Sequence, residues 1–296
     1  MVFEPFDPRI RLIVNADDFG ISHGANRAIV KAHREGILTS TSLMVNGDAA
    51  NNAVSLAREN PTLAIGLHLT LVKGKSTLKP SEIIGVVNQR FEFDESPVRA
   101  GMRYFFDKGL YKPILREIQA QIERIVDAGI PLSHIDGHLN IHLHPTVFAF
   151  LTDLMPRYGI DSFRLSRERL AHNLRFDRQR RLGKTVERVI FGALAGHARP
   201  HLDRLGIRYA GEVKGVLNSG RMTEAYLLNI IDGLNEGLTE LYFHPGLLPD
   251  AEITRRMPDY RHAEELAAII SPRVMNKLAE SHIGLCNYRG EAKEYA

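Results

Sequence analysis

The sequence predicts a single α/β domain in which parallel strands and outer helices form an irregular (β/α) barrel. Short apolar runs rich in β-branched residues alternate with longer segments of helical periodicity, which is the rhythm of βαβ units. The chain of 296 residues has the length of one barrel domain. Because no repeat, low-complexity tract or linker divides it, we expect one domain over residues 1–296.

Eight segments predict strands, and most of them are separated by a predicted helix. They are residues 11–15, 40–45, 63–69, 133–137, 162–165, 206–210, 240–243 and 283–287. This arrangement fits a closed TIM-like (β/α) barrel better than an open doubly wound sheet. The uneven spacing of the strands makes the predicted barrel irregular.

The predicted helices carry recognisable start and stop signals. Ser22 can cap a helix that runs to Arg34, and Gly36 stands where a C-cap glycine belongs. Further helices are predicted at residues 48–58, 112–129, 145–158, 182–194, 223–236, 261–270 and 272–280.

Residues 72–112 form an insertion that interrupts this rhythm. They include the aromatic patch Tyr104-Phe105-Phe106. Since α/β proteins place lids and substrate contacts in such insertions, Phe105 and Phe106 are candidates for substrate binding. An ordinary excursion with its own small core is an equally good interpretation.

The composition is that of a soluble globular protein, with 44% hydrophobic and 25% charged residues. A net charge of +3 is too small to predict nucleic acid as a partner. The one cysteine, Cys286, excludes an internal disulfide and favours a reducing compartment. The first residues lack the cations of a signal peptide, and no apolar run approaches the roughly 20 residues of a membrane span. We therefore expect a cytoplasmic protein.

Histidines cluster where predicted strands end. Four of the thirteen histidines lie between positions 134 and 144, and neutral imidazole is the commonest protein ligand for a divalent metal. In a barrel the carboxyl ends of the strands meet at one face. Polar stretches at residues 15–18, 66–68, 134–138 and 243–246 would converge there, so we expect a site at this face.

A metal could take one oxygen from Asp18 and imidazole nitrogens from His68 and His138, which leaves positions for water and substrate. The neighbouring Asp17 would then be free to act as general base. Adjacent side chains on a regular strand face opposite ways, so both carboxylates reach the site only if residues 19–20 bend the chain. A helix-capping role for Asp18 and a merely packed His68 remain alternatives.

Other polar residues have candidate roles around this site. Asp136 shares a strand face with His138 and can orient a ligand histidine. His142 and His144 lie past the strand end; His142 is a candidate substrate contact, although a structural role is favoured for both. His244, which Pro-Gly follows, is a candidate general acid for the leaving group.

Four motifs in this order resemble the YdjC-like carbohydrate deacetylases. They are Asn15-Ala-Asp-Asp-Phe-Gly20, Gly66-Leu-His68, His134-Ile-Asp-Gly-His138 and His244-Pro-Gly246. The likeness runs from residue 11 to about residue 287. Residues 105–106, 117–121 and 142–147 are more similar to the hopanoid-biosynthesis-associated branch (HpnK) than to the chitooligosaccharide deacetylases.

The resemblance implies a TIM-like barrel that holds one divalent metal ion, zinc or magnesium, through Asp18, His68 and His138. It implies removal of an N-acetyl group from an amino sugar, with Asp17 as base. In the hopanoid branch the substrate would be N-acetylglucosaminyl bacteriohopanetetrol, and the product the glucosaminyl lipid. A chitooligosaccharide of the diacetylchitobiose type, a non-catalytic sugar- or lipid-binding barrel, and assembly into a homo-oligomer are left open.

A lipid-linked substrate would require contact with a membrane, at its inner face for a cytoplasmic protein. Residues 175–199 hold seven Lys and Arg against Asp177 and Glu187, with an apolar stripe over residues 182–194. Such a segment could lie on anionic lipid. The favoured interpretation is a barrel helix with a solvated basic face.

Other chemistries fit the sequence less well. Two histidines and a carboxylate also serve non-haem iron oxygenases, but their usual scaffold is all-β, whereas this chain alternates strand and helix. The sequence lacks the G-x-S-x-G elbow of serine hydrolases. Cys286 falls within a predicted buried strand, which argues against cysteine hydrolysis.

Overall fold

Eight strands and eleven α-helices lie within residues 9–294, which are the residues that the structure, a computed structural model, describes. The strands are β1 (Ile10–Phe19), β2 (Ser40–Leu43), β3 (Ala64–Leu69), β4 (Leu132–Gly137), β5 (Glu212–Lys214), β6 (Gly237–Phe243), β7 (Ile283–Cys286) and β8 (Ala292–Lys293). The helices are α1 (His23–Glu35), α2 (Ala50–Glu59), α3 (Pro97–Phe106), α4 (Tyr111–Asp127), α5 (Pro145–Leu154), α6 (Leu170–Phe176), α7 (Arg181–Leu205), α8 (Glu224–Ile231), α9 (Ala251–Arg256), α10 (His262–Ile269) and α11 (Pro272–Glu280).

Parallel strands form one sheet in the order β4-β3-β2-β1-β6-β5. Strand β7 pairs in parallel with the start of β1, and β8 forms an antiparallel pair with β7. Beyond β4 the sheet continues only as isolated bridges, from Ile135 to Phe163 and from Ser162 to Arg208. The fold is therefore a single α/β domain with a parallel half-barrel sheet, and the predicted strands at residues 162–165 and 206–210 contribute single bridges rather than ladders.

The helices cover the sheet through apolar stripes whose spacing the sequence predicted. In α4 the inward stripe recurs every three or four residues and is fully buried; its members are Ile114, Ile118, Ile122 and Ile125. This spacing places all four side chains on one face of the helix. At the start of α1, the Ser22 hydroxyl accepts a hydrogen bond from the N–H of Ala25, so the predicted N-cap is confirmed.

A bulge near the end of β1 positions the two adjacent aspartates. The register of β1 against β2 shifts between Ala16 and Phe19, and Asp18 has a φ of 64°. A bulge inserts an extra residue into a strand and re-aims its side chains. The chain therefore bends as the convergence of Asp17 and Asp18 requires. The bend begins at Asp18 itself, whereas the sequence predicted it at residues 19–20.

The insertion between β3 and α4 is fastened to the domain by buried polar side chains. Glu117 of α4 accepts hydrogen bonds from the backbone N–H groups of Thr77 and Leu78, at 2.7 and 2.9 Å. Gln121, one turn further on, binds both the N–H and the carbonyl of Thr70. Helix α3 lies in this insertion, and the hydroxyl of its Tyr104 donates to the carbonyl oxygen of Leu71 at 2.7 Å.

The two halves of α7 differ in where their apolar side chains lie. In the first half the buried side chain is that of Lys184, which binds Asp177 at 2.8 Å. Ala195, Ala198 and Leu202 are buried, whereas the apolar side chains of residues 182–190 on one helix face are exposed. The predicted helix is therefore present, but the apolar stripe over its first half faces solvent rather than the core. Within the described part of the chain, each helix is too short or too polar to cross a bilayer.

The close approach of β3 to His134 predicts a sensitive position. A Cβ added at Gly66 would stand 2.3 Å from Cε1 of the His134 ring, and that ring also stacks on Tyr288 with centroids 3.7 Å apart. Because the ring must move, we expect Gly66→Ala to lower the free energy of unfolding by about 1–3 kcal/mol, measured by urea denaturation.

The matched control is Gly196→Ala in α7, where nothing lies within 4 Å of the added Cβ. This change should leave stability equal or raise it by up to about 1 kcal/mol, since alanine favours the helix. A Gly66→Ala protein as stable as the wild type would contradict the packing described here.

Candidate functional site

Asp18, His68 and His138 meet at the carboxyl end of the sheet. Nε2 of His68 and Nδ1 of His138 each lie 3.3 Å from Oδ1 of Asp18. One ligand atom from each of the three residues lies within 4.8 Å of those of the other two. They belong to β1, to β3 and to the residue that follows β4, so the structure brings together the three residues that the sequence predicted as metal ligands.

The chemistry of this trio fits a divalent cation. Both carboxylate oxygens of Asp18 are buried, and no described residue gives either one a well-formed hydrogen bond. Burial raises the pKa of Asp18, but the His138 and His68 imidazoles outweigh that effect and hold it well below its usual value. A buried, ionised carboxylate without donors is costly unless a cation pairs with it. Two imidazole nitrogens and one carboxylate oxygen are ligands that zinc accepts.

Asp136 holds the ring of His68 from behind. Its Oδ1 lies 2.7 Å from Nδ1 of His68, which leaves Nε2 facing Asp18. The predicted orienting role thus acts on the histidine of the neighbouring strand. Burial lowers the pKa of His68, but the carboxylates of Asp136 and Asp17 outweigh burial and raise it to about 10.

Asp17 faces a different partner from Asp18. Nη1 and Nη2 of Arg164 donate to its two carboxylate oxygens at 2.8 and 2.7 Å, and the Asn15 amide donates to Oδ1 at 2.9 Å. Such a bidentate contact fixes the plane of a carboxylate as well as its position. Asp17 is therefore held rigidly beside the trio.

Sequence reasoning missed Arg164 and its partner Glu240. Arg164 is 1% exposed, and it contacts Glu240 and Asp136, both at 2.8 Å, in addition to Asp17. Burial lowers the pKa of Arg164, but these carboxylates outweigh burial and raise it well above its usual value. The sequence contained a signal for this pair, since one charged residue interrupts the apolar run at residues 162–165 and another the run at residues 240–243. A buried charge needs a partner of opposite sign, so the two residues could have been paired.

His244 stands on the far side of Asp17. Its Nε2 lies 4.0 Å from Oδ2 of Asp17, and its Nδ1 is buried without a hydrogen-bond partner among the described residues. Burial lowers the pKa of His244 to about 4, against the opposing effect of Asp18 and Asp17. At neutral pH the imidazole is therefore uncharged, and it can accept a proton before it donates one.

Two residues that the sequence analysis did not identify hold the backbone of His244. Glu265 accepts hydrogen bonds from the N–H of His244 at 2.5 Å and of Met222 at 2.8 Å. Nδ1 of His262 lies 2.7 Å from the His244 carbonyl oxygen. Burial raises the pKa of Glu265 to about 7. The loop that carries His244 is thus fixed by its main chain, and the side chain is left free to face Asp17.

The structure corrects the prediction that His142 binds substrate. His142 is fully buried, and its Nε2 donates to the carbonyl oxygen of Arg164 at 2.9 Å, so it supports the arginine rather than facing a pocket. His144 lies 3.0 Å from the carbonyl of Gly101 through Nε2 and thereby anchors α3. Phe105 and Phe106 are exposed on that helix, where they are accessible to a ligand.

Fold and site together define an α/β protein with a buried carboxylate–histidine centre at the carboxyl edge of a parallel sheet. A family model described as "YdjC-like protein" matches residues 11–280, so the chain belongs to the YdjC-like family.

Named relatives agree with this assignment. The chain is 30% identical to the carbohydrate deacetylase of Geobacillus stearothermophilus over 278 residues, 94% of this chain and 96% of that protein. It is 40% identical to the carbohydrate deacetylase of Brevibacillus brevis over 151 residues, 51% of this chain and 58% of that protein. A solved structure from Enterococcus faecalis, of a protein proposed to cleave cellobiose phosphate, shares the fold with a TM-score of 0.73 at 23% identity, over 96% of this chain and 99% of that one.

The contact between Asp136 and His68 predicts a change in metal affinity. Asp136→Asn removes the charged acceptor that orients the His68 ring, and we expect a roughly 10- to 100-fold loss of zinc affinity, measured by competition with a chromophoric chelator. Asp48→Asn is the control, because Asp48 pairs with Lys75 at the exposed surface. Equal affinity in the Asp136→Asn and wild-type proteins would contradict this role.

Proposed function

We propose that this protein is a metal-dependent carbohydrate deacetylase that hydrolyses the N-acetyl group of an amino sugar. The observation that carries the proposal is the trio of Asp18, His68 and His138 beside an aspartate, Asp17, that is held by an arginine instead. A catalytic metal centre needs open coordination positions and a separate base. The named activity of the curated relatives supports the same reaction.

Asp18, His68 and His138 would hold one divalent cation. When bound, that cation supplies a Lewis acid for the amide carbonyl and lowers the pKa of water. Of the two expected metals we favour zinc, because magnesium prefers an all-oxygen ligand set whereas imidazole suits zinc.

A second trio, Asp17, His68 and Asp136, also lies within ligand distance. Its carboxylates already bind Arg164, and Asp136 also binds Nδ1 of His68. These contacts make it a poorer metal site than the trio that contains Asp18.

The chain's own residues supply the proton transfers. Asp17, with its plane fixed by Arg164 and Asn15, takes a proton from the attacking water. The neutral His244, whose Nε2 is 4.0 Å from Oδ2 of Asp17, receives a proton and passes it to the nitrogen of the departing amine. The proton removed from water is thereby delivered to the leaving group, so the products are the free amine and acetic acid, which ionises to acetate at neutral pH. Each positioned acid or base of this kind contributes typically 10²–10⁴-fold.

The assignment of Asp17 as base predicts separate effects on turnover and on metal. Asp17→Asn keeps the size of the side chain but cannot take a proton, so we expect acetate release to fall by about 10²-fold or more. Zinc content and affinity should stay within a few-fold of wild type. Asp18→Asn is the matched comparison and should lose both. Loss of zinc from the Asp17→Asn protein would mean that Asp17 is a ligand, as in the second trio.

For the substrate we propose N-acetylglucosaminyl bacteriohopanetetrol, with diacetylchitobiose-type sugars as the alternative. The support is the likeness of residues 105–106, 117–121 and 142–147 to the hopanoid branch. Of these, Glu117, Gln121 and His142 are buried and hold the insertion and Arg164 in place. Phe105 and Phe106 are exposed apolar side chains, which suits a substrate with a lipid part.

The experiment is acetate release from the N-acetylglucosaminyl hopanoid and from N,N′-diacetylchitobiose, with enzyme of measured zinc content. We expect kcat/KM at least tenfold higher for the lipid. A preference for the disaccharide would favour the alternative substrate. Release from neither substrate by zinc-loaded enzyme, with or without added metal, would favour a non-catalytic sugar- or lipid-binding protein.

A further inference from the structure

Helices α3 and α7 present the same apolar pattern to solvent. In α3 the exposed residues are Val98, Met102, Phe105 and Phe106, at 49–74% exposure. In α7 they are Leu182, Val186, Val189 and Ile190, at 50–85% exposure. Both sets follow the spacing i, i+4, i+7, i+8, which puts four side chains on one face of a helix. Single exposed apolar residues are common, but stripes of this size mark an interaction surface.

Both stripes lie towards the carboxyl end of the sheet. Helix α3 packs against the 3₁₀ segment His138–Leu143, which begins with a member of the metal trio. Helix α7 packs on α6, and His172 of α6 lies 2.8 Å from Nζ of Lys214, the last residue of β5. Leu139, next to His138, is itself 41% exposed. The two stripes therefore lie at the same end of the sheet as the reacting groups, and a partner that covered them would lie close to the opening of the site.

The surroundings of the α7 stripe are basic. Arg178, Arg181 and Arg188 make no ion pair with the part of the chain that the structure describes. The nearby acids are already engaged, since Glu187 pairs with Arg180 and Asp177 pairs with Lys184. The surface thus combines an apolar stripe with uncompensated positive charge, which is the composition of helices that lie in the interface of an anionic bilayer.

A second copy of this chain would fit the surface less well. In a two-fold contact the same surface is buried on both copies, so two sets of uncompensated arginines would be brought into one interface. Like charges across an interface oppose association, whereas anionic headgroups would compensate them.

We propose that α3 and the first half of α7 form a docking surface for a membrane rich in anionic phospholipid. The two apolar stripes enter the boundary between headgroups and acyl chains, and the arginines contact lipid phosphates. The opening of the site then lies near the bilayer surface. The proposal goes beyond the deacetylase function, because it concerns binding and holds for any substrate.

The test is co-sedimentation of the full chain with vesicles of phosphatidylcholine alone and of phosphatidylcholine with 30 mol% phosphatidylglycerol, a composition about one-third anionic. We expect at least tenfold tighter binding to the anionic vesicles, weakened by 0.5 M salt to about the level of the neutral ones. The double variant Val186→Asn with Ile190→Asn should lose at least tenfold of that affinity, because both side chains lie at the centre of the stripe.

The matched control is Val126→Asn, which changes an exposed apolar residue of α4 and should bind like the wild type. Both variants alter exposed positions, and circular dichroism verifies that they fold. Equal binding by the double variant and the wild type, or no binding to anionic vesicles, would overturn the proposal. So would sedimentation equilibrium that shows a wild-type dimer and a monomeric double variant, since the stripe would then be covered by a second copy.

Discussion

The buried polar end of this domain depends on one guanidinium, that of Arg164. It contacts Asp17 from β1, Asp136 from β4 and Glu240 from β6. Charges without partners in a protein interior cost several kcal/mol each, and Arg164 is the cation that all three of these carboxylates share. Because the three partners belong to three strands, the same contacts fix the relative positions of the strand ends that carry the site.

The arginine does not balance the charge around it, and this imbalance would favour a cation at the site. Four carboxylates, those of Asp17, Asp18, Asp136 and Glu240, lie around one guanidinium. The excess negative charge raises the pKa of His68, which therefore retains a proton. Burial raises the pKa of Glu240 in spite of Arg164. A divalent cation between Asp18 and the two imidazoles would supply the missing positive charge in place of the proton on His68. The network that fixes Asp17, the proposed base, would thus also make the neighbouring trio receptive to metal.

The sequence predicted the residues that meet but not the residue that organises them. Asp18, His68 and His138 each follow or interrupt an apolar run, and the carboxyl ends of parallel strands share one edge, so their convergence could be inferred. Arg164 binds partners 147 and 76 residues away along the chain, and no local periodicity encodes such contacts. Periodicity also identified the apolar stripe at residues 182–190, but it could not show whether the stripe faces the core or the solvent. Spacing defines which residues share a helix face and not what that face contacts. The sequence also predicted a TIM-like barrel where the structure has a parallel half-barrel sheet, because an apolar run has the same composition whether it forms a ladder or one bridge.

The bulge at Asp18 completes the division of labour between the two aspartates. On a regular strand, adjacent side chains point to opposite faces, and only one carboxylate could reach the site. The left-handed conformation of Asp18, with φ at 64°, is unfavourable for most residues, although aspartate and asparagine tolerate it best. It turns Asp18 towards His68 and His138 while Asp17 stays on Arg164. Two identical side chains, adjacent in the sequence, thereby acquire different partners, and in the proposed mechanism Asp18 would hold a cation while Asp17 would take a proton.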